Sequence, residues 1–227
     1  MERRIVKVIL LCLFSLLLLS SCKKKEYAGF AIDDGMIQFP VDDSSAASGM
    51  ENFYFPLELY KLCEASMQTI ANVYNDFSGV SVSELKRIDS IREGIGSIYY
   101  VAWLSDGKEE DIKEIEDGVR RLGADKTVVK DLMKLAYKAI DEGHYDFLYG
   151  ISRFANKLEE NLYSITSAIK LCTNYKNGDS WFNSMKDVFE YSRGQVNQSV
   201  AYIEKYFPTV QFVHDYSETG YARNNKQ

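Results

Sequence analysis

The sequence predicts an all-α protein, an antiparallel bundle of five or six helices behind an extended N-terminal tether. Three observations lead there. Apolar residues recur three and four apart over most of the span from Phe55 to Phe207, which is the spacing of one helix face. Glycine, asparagine and aspartate break that pattern at short intervals, and brief connections between long helices make antiparallel neighbours. Pro56 and Pro208 stand at the two ends of the periodic region, where a helix starts or stops most easily.

The first helix is expected from Pro56, with Leu59, Leu62, Met67, Ile70, Val73 and Phe77 on its apolar face. The second opens at Ser81-Val82-Ser83-Glu84, where serine hydroxyl and glutamate carboxylate can each satisfy a free backbone N–H of the other. Its stripe is Leu85, Ile88, Ile95, Ile98 and Ala102, and it should stop at Ser105-Asp106-Gly107. The glycines of "GIGSIYY" fall inside this helix, where they permit close packing or a bend rather than holding a phosphate. "KEEDIKEIEDGVRRLG" puts its acids first and its arginines last, complementing the helix dipole at both ends, and Gly123 terminates it. A fourth helix should span about 125–142, packing through Val129, Leu132, Met133, Ala136 and Ile140.

The fifth carries the strongest signal. Ile151, Ala155, Leu158, Leu162, Ile165, Ile169 and Cys172 alternate at four and three residues, a heptad seam. Asn177-Gly178-Asp179 reverses the chain. A sixth helix follows from near Ser180, using Trp181, Met185, Val188, Val200, Ile203 and Phe207, until Pro208 ends it. The helical domain is thus 53–208, and 209–227 reads as a polar, frayed tail.

Ahead of the domain, residues 22–52 have the composition of a tether, with Asp-Asp pairs at 33–34 and 42–43 and the run "SSAASG". One feature interrupts it. "GFAIDDGMIQFPV" sets apolar runs on both sides of Asp34-Gly35, a turn pair suited to a tight hairpin. An isolated hairpin is marginal in water, and the alternation "TVQFV" at 209–213 is a candidate partner.

Residues 1–21 have the layout of a secretory signal: Arg3, Arg4 and Lys7, an apolar core from Val8 to Leu19, then Ser20 and Ser21. The apolar run is shorter than the roughly 20 residues a spanning helix needs. Leu19-Ser20-Ser21-Cys22 resembles the cleavage motif of bacterial lipoprotein precursors. The resemblance covers the first two dozen residues. It implies that Cys22 carries diacylglycerol, becomes the mature N-terminus and is then acylated, so that the chain is held on a bilayer of the cell envelope by several fatty chains. Lys23, Lys24 and Lys25 solvate the start of the tether or attract anionic headgroups.

Removing residues 1–21 takes away three bases and one acid, leaving 24 basic and 32 acidic groups and a net charge of −8. Such a body is unsuited to nonspecific nucleic-acid binding, which relies on neutralising phosphate. Two cysteines remain in the domain. Cys63 and Cys172 are either a disulfide, which an exported chain can keep, or two small core residues. Strict up-and-down alternation would put them at opposite ends of the bundle, too far apart to bridge.

Motifs that carry chemistry are absent. The two histidines, His144 and His214, lie far apart and lack the i, i+4 spacing of a zinc protease. Glu109, Glu110, Asp111, Glu114, Glu116 and Asp117, like Glu159 and Glu160, occupy positions outside the apolar stripes and read as solvated faces. There is no nucleophile elbow, Walker loop or dinucleotide fingerprint, so neither an enzyme, a metal nor a cofactor is expected. Sixteen tyrosines are the remaining peculiarity. Tyr99, Tyr100, Tyr145, Tyr149, Tyr163, Tyr175, Tyr191, Tyr202 and Tyr206 fall on helices or their ends, and tyrosine buries area while keeping a polar tip, as protein interfaces require.

The plan of signal, lipid-attachment cysteine, tether and helical bundle is similar to that of the helical surface lipoproteins of spirochaetes such as Borrelia. This implies a membrane-anchored protein-binding module, in the outer membrane and at the cell surface, that captures a host protein such as a complement regulator. Against it stand an envelope assembly protein facing the periplasm, and a small-ligand carrier or enzyme with a pocket between helices.

Overall fold

The computed structural model describes residues 25–40, 52–76 and 79–213. The signal segment, Cys22, Phe77 and His214 lie outside them. Among the described residues the chain forms four strands and then six α-helices. The strands are β1 (Lys25–Tyr27), β2 (Phe30–Asp33), β3 (Met36–Pro40) and β4 (Asn52–Pro56). The helices are α1 (Leu57–Asn75), α2 (Val82–Ser97), α3 (Glu109–Arg121), α4 (Lys126–Asp141), α5 (Tyr145–Lys176) and α6 (Met185–Tyr206), with a 3-10 helix η1 (Ile98–Asp106) continuing α2.

The helical majority matches the sequence expectation, but the protein is not purely α. The strands form one antiparallel sheet in the order β1-β2-β3-β4, built largely from residues expected to be tether. Its turns explain how. Asp34 and Gly35 both have positive φ, 43° and 75°, the geometry whose twist matches a two-residue hairpin. Ala28 and Gly29, at 51° and 85°, make a second turn of the same kind. Register then places Lys25 opposite Ile32, Ile32 opposite Ile37, and Ile37 opposite Phe55. Alternation buries Ile37, Phe39 and Phe55 on one face and exposes Tyr54 on the other.

The buried face meets helices. Phe39 stacks on Phe154 of α5 with centroids 5.4 Å apart and meets Tyr206 edge-on at 5.4 Å. Tyr60 of α1 stacks on Phe207 at 4.9 Å, and its buried hydroxyl donates to the Tyr206 carbonyl at 3.0 Å. The amide of Leu57 donates to the Gly35 carbonyl at 2.9 Å, tying the hairpin turn to the first residue of α1. "TVQFV", the candidate partner, pairs with none of these strands. It runs beside α1, burying Val210 and Phe212, and Asn75 holds it by accepting from the Val213 amide at 2.6 Å and donating to the Gln211 carbonyl at 3.0 Å.

Contacts fix the helix directions. Asp89 and Arg92 of α2 pair with Lys170 and Glu159 of α5, so these two helices are antiparallel. Gly94 lies against Gly118 and Arg121, and Ser97 donates to Glu114 at 2.9 Å, so α3 is antiparallel to α2. Phe154 meets Tyr206 near the start of α5, while Cys172 clusters with Met185, Val188 and Phe189 near its end, so α6 is antiparallel to α5. The molecule therefore has a sheet end, where α1 and α5 start and α6 finishes. Its far end is where α5 turns into α6. No helix among the described residues is long and apolar enough to cross a membrane.

Two expectations about α2 and α6 need correction. The residues after Ser97 wind as a 3-10 helix, and Val101 and Leu104 are buried with Ile98 instead of Ala102. Three residues per turn puts 98, 101 and 104 in a single row, whereas α winding would swing Leu104 out to solvent. And α6 begins at Met185, not near Ser180: the Ser184 hydroxyl caps it by accepting from the Asp187 amide at 3.1 Å. Trp181 is therefore left in the connection.

Candidate functional site

The most exposed large hydrophobic side chain among the described residues is Trp181, 73 % accessible, in the connection between α5 and α6. Its indole stacks on Phe182 with centroids 3.8 Å apart and planes 26° from parallel. Tyr191, one and a half turns into α6 and also exposed, meets Trp181 edge-on at 5.8 Å and Phe182 at 5.4 Å. The local fold holds the three rings. Gly178 reverses the chain after α5 with φ 78°, and the amide of Phe182 donates to the Ser180 hydroxyl at 3.2 Å.

Beneath these rings lies a small apolar cluster of Cys172, Met185, Val188 and Phe189, with Leu171, Tyr175 and Phe182 packed against it, separate from the main core. The far end thus presents aromatic area on a packed apolar base. Aromatic residues held by a scaffold, apolar in body and polar at the tip, are the usual anchors of protein contacts.

The structure distributes the other sequence candidates as follows. Tyr99, Tyr100, Tyr145, Tyr149, Tyr163 and Tyr191 are exposed, Tyr175 and Tyr202 half-buried, and Tyr206 buried. Tyr99, Tyr100 and Trp103 form a second exposed aromatic group on η1, with ring separations of 5.9 and 6.3 Å. Neither tryptophan was a site candidate from sequence. By spacing, Trp181 fits a helix face, since it precedes Met185 by four. The Ser184-x-x-Asp187 pattern, a helix-start signature, is the signal that would have placed it outside.

Cys63 and Cys172 are both free and buried. Cys63 belongs to the main core and Cys172 to the small far-end cluster, so the bridge considered from sequence is not formed in this structure. Burial pushes each thiol up to about 12, which leaves them protonated and unreactive.

Of the acids of α3, Glu109 and Glu110 are exposed, whereas Asp111, Glu114, Glu116 and Asp117 are half-buried: Arg120 pairs with Glu116 and Asp117, Glu114 accepts from Ser97, and Asp111 Oδ2 is buried with no hydrogen-bond partner among the described residues. Glu159 accepts from Arg92, and Glu160 takes Lys157 at 3.1 Å. Exposed His144 stands 3.6 Å from Glu142 at the start of α5. Among the described residues no group of three or more His, Cys, Asp or Glu is placed to hold a metal ion. No protein-family model matches the chain, and comparisons with curated proteins and with solved structures gave no match.

Proposed function

We infer that the chain is a bacterial envelope lipoprotein, held on a bilayer through acylated Cys22, whose helical domain is a protein-binding module. Trp181, Phe182 and Tyr191 form the contact surface. The observation that supports this best is the placement of the stacked, exposed Trp181 at the end of the domain opposite the strand into which the anchor leads. A membrane-held protein meets partners with the end that points away from the lipid, and that end carries an aromatic anchor on its own packed base. Display at the cell surface, with a host protein as partner, is the form of this reading that the lipoprotein resemblance favours.

The test compares two baits, the full chain and its Trp181→Ala/Tyr191→Ala variant. Host serum and cell-envelope extract supply the prey. A partner held by the first and lost at least tenfold by the second, with unchanged melting temperatures, is the expected result. Equal capture by both would remove this surface from the function. Cleavage of the domain by protease on intact cells would establish outward display, and protection until the envelope is broken would put the protein on the periplasmic side.

A further inference from the structure

The second aromatic group lies at the other end of the molecule. α2 runs antiparallel to α5, with Asp89 beside Lys170 and Arg92 beside Glu159. Its continuation η1 therefore lies along the first turns of α5, the same stretch that the sheet covers through Phe53, Phe55 and Phe154. Tyr100 and Trp103, three apart, share the row of η1 that faces away from the buried row of Ile98, Val101 and Leu104. Tyr145 and Tyr149, one turn apart at the start of α5, are 50 % and 62 % accessible. Four large amphipathic side chains thus stand exposed at the sheet end, on two adjoining elements.

We propose that this aromatic end rests in the interface of the lipid bilayer. The proposal builds on the anchor inferred at Cys22. Only Lys23 and Lys24 lie between Cys22 and Lys25, the first residue of β1, and a chain spans at most about 3.5 Å per residue step, so these three steps reach roughly 10 Å. Lys25 sits in the row of the sheet shared with Phe55, next to the start of α1. An acylated Cys22 leaves that end no room to stand clear of the headgroups. Tyrosine and tryptophan are the side chains that settle at headgroup depth, with the ring toward the acyl chains and the polar tip in water.

Charge decides the kind of surface. Asp33, Asp34, Asp106 and Asp146 are exposed at this same end, against the exposed bases Lys25 and Lys108, the latter 4.0 Å from Asp106, and the unbalanced acids are repelled by anionic lipid within a Debye length. The fitting occupant is a zwitterionic leaflet, entered by rings rather than bound by lysines. Docking in this way would hold the long axis of α5 and α6 away from the membrane and point Trp181 outward.

The two tryptophans of the chain, Trp103 and Trp181, report the two ends separately. Trp181→Phe leaves Trp103 as sole emitter, and Trp103→Phe leaves Trp181; both keep aromatic area, and circular dichroism checks the fold. The full-length lipidated protein is reconstituted in phosphatidylcholine vesicles containing acyl chains brominated near the headgroup. Mass spectrometry of the same sample verifies the acyl groups on Cys22. Trp103 emission should shift to the blue and fall at least twofold, while Trp181 emission stays as it is in buffer. Lipidated protein with Trp103 unquenched, or with Trp181 quenched instead, would overturn the docking and leave the anchor standing. An unmodified Cys22 in protein that fails to float with vesicles would overturn the anchor, and the docking with it.

Discussion

At the scale of single residues, the α2–α3 contact depends on atoms that are missing. Gly94 faces the Gly118 carbonyl so closely that a methyl group there would lie 2.7 Å from the oxygen. A methyl on Gly118 would overlap Ser97, whose hydroxyl is engaged by the Glu93 carbonyl and the Glu114 carboxylate. The obstacles are backbone and a constrained side chain, so neither can swing aside. Gly118→Ala should therefore destabilise the domain by about 1–3 kcal/mol, the range for overpacking, even though alanine is the better helix former. Urea denaturation checks the sign. A gain in stability would mean that α2 and α3 are not in backbone contact. Gly194, with open space around its Cα in α6, is the matching control, and Gly194→Ala should not destabilise.

At the scale of elements, η1 separates two readings of one sequence. Continuous α winding from Ser81 puts Ala102 in the core and Leu104 outside; 3-10 winding does the reverse. Leu104 is 2 % accessible, so Leu104→Ala should cost about 2–5 kcal/mol, while Ala102→Ser should cost under about 1 kcal/mol. Equal costs, read by thermal denaturation, would contradict the change of winding. The same contrast shows what the sequence makes legible. The seam of α5 was readable in full because Ile151, Leu158, Leu162 and Ile165 are all buried at the spacing an α-helix requires. Local caps were readable too: Ser81 and Glu84 exchange the expected bonds. The sheet was only half visible. Asp34-Gly35 announces its turn, but in Ala28-Gly29 only the glycine favours positive φ, and Ala28 adopts 51° against its preference. β1 has three residues and gains its identity only by pairing with β2. Winding after Ser97 is a tertiary outcome as well, since the sequence offers Ile98 with Ala102 at the α period and Ile98, Val101 and Leu104 at the 3-10 period, and packing against α5 selects the second. The far-end aromatic site was hidden for a related reason: Trp181 fits a helix stripe by spacing, and only the cap at Ser184 excludes it.

For the molecule as a whole, groups that must stay protonated are spread through its packing and set an alkaline limit. Burial raises Cys63 and Cys172 from an ordinary 9.0 to about 12. Tyr27 rises from 10.0 to about 12, chiefly because its hydroxyl donates to the Glu64 carboxylate at 2.6 Å. Tyr60 is pushed up by burial between the sheet and α6. Each group binds its proton more tightly in the fold than in the unfolded chain. The stability they confer is complete below the unfolded values and is lost as pH rises from 9.0 toward about 12. The melting temperature should be flat up to about pH 9 and then fall steeply. Cys63→Ala/Cys172→Ala should delay that fall toward 10.0, where only the phenols remain to titrate. Both thiols are free and shielded, so a thiol reagent at pH 8 should find neither in the native domain and both after denaturation. A bridged pair would yield none in either state. Tyr60 joins the sheet, α1 and the end of α6 in the main core, and α5 and α6 run on from that core to the far-end cluster of Cys172, so the alkaline transition should appear simultaneously in the far-ultraviolet signal and in Trp181 fluorescence. Separate transitions would show instead that the far-end cluster around Cys172 melts on its own, and that the proposed contact surface is not held rigidly by the body beneath it.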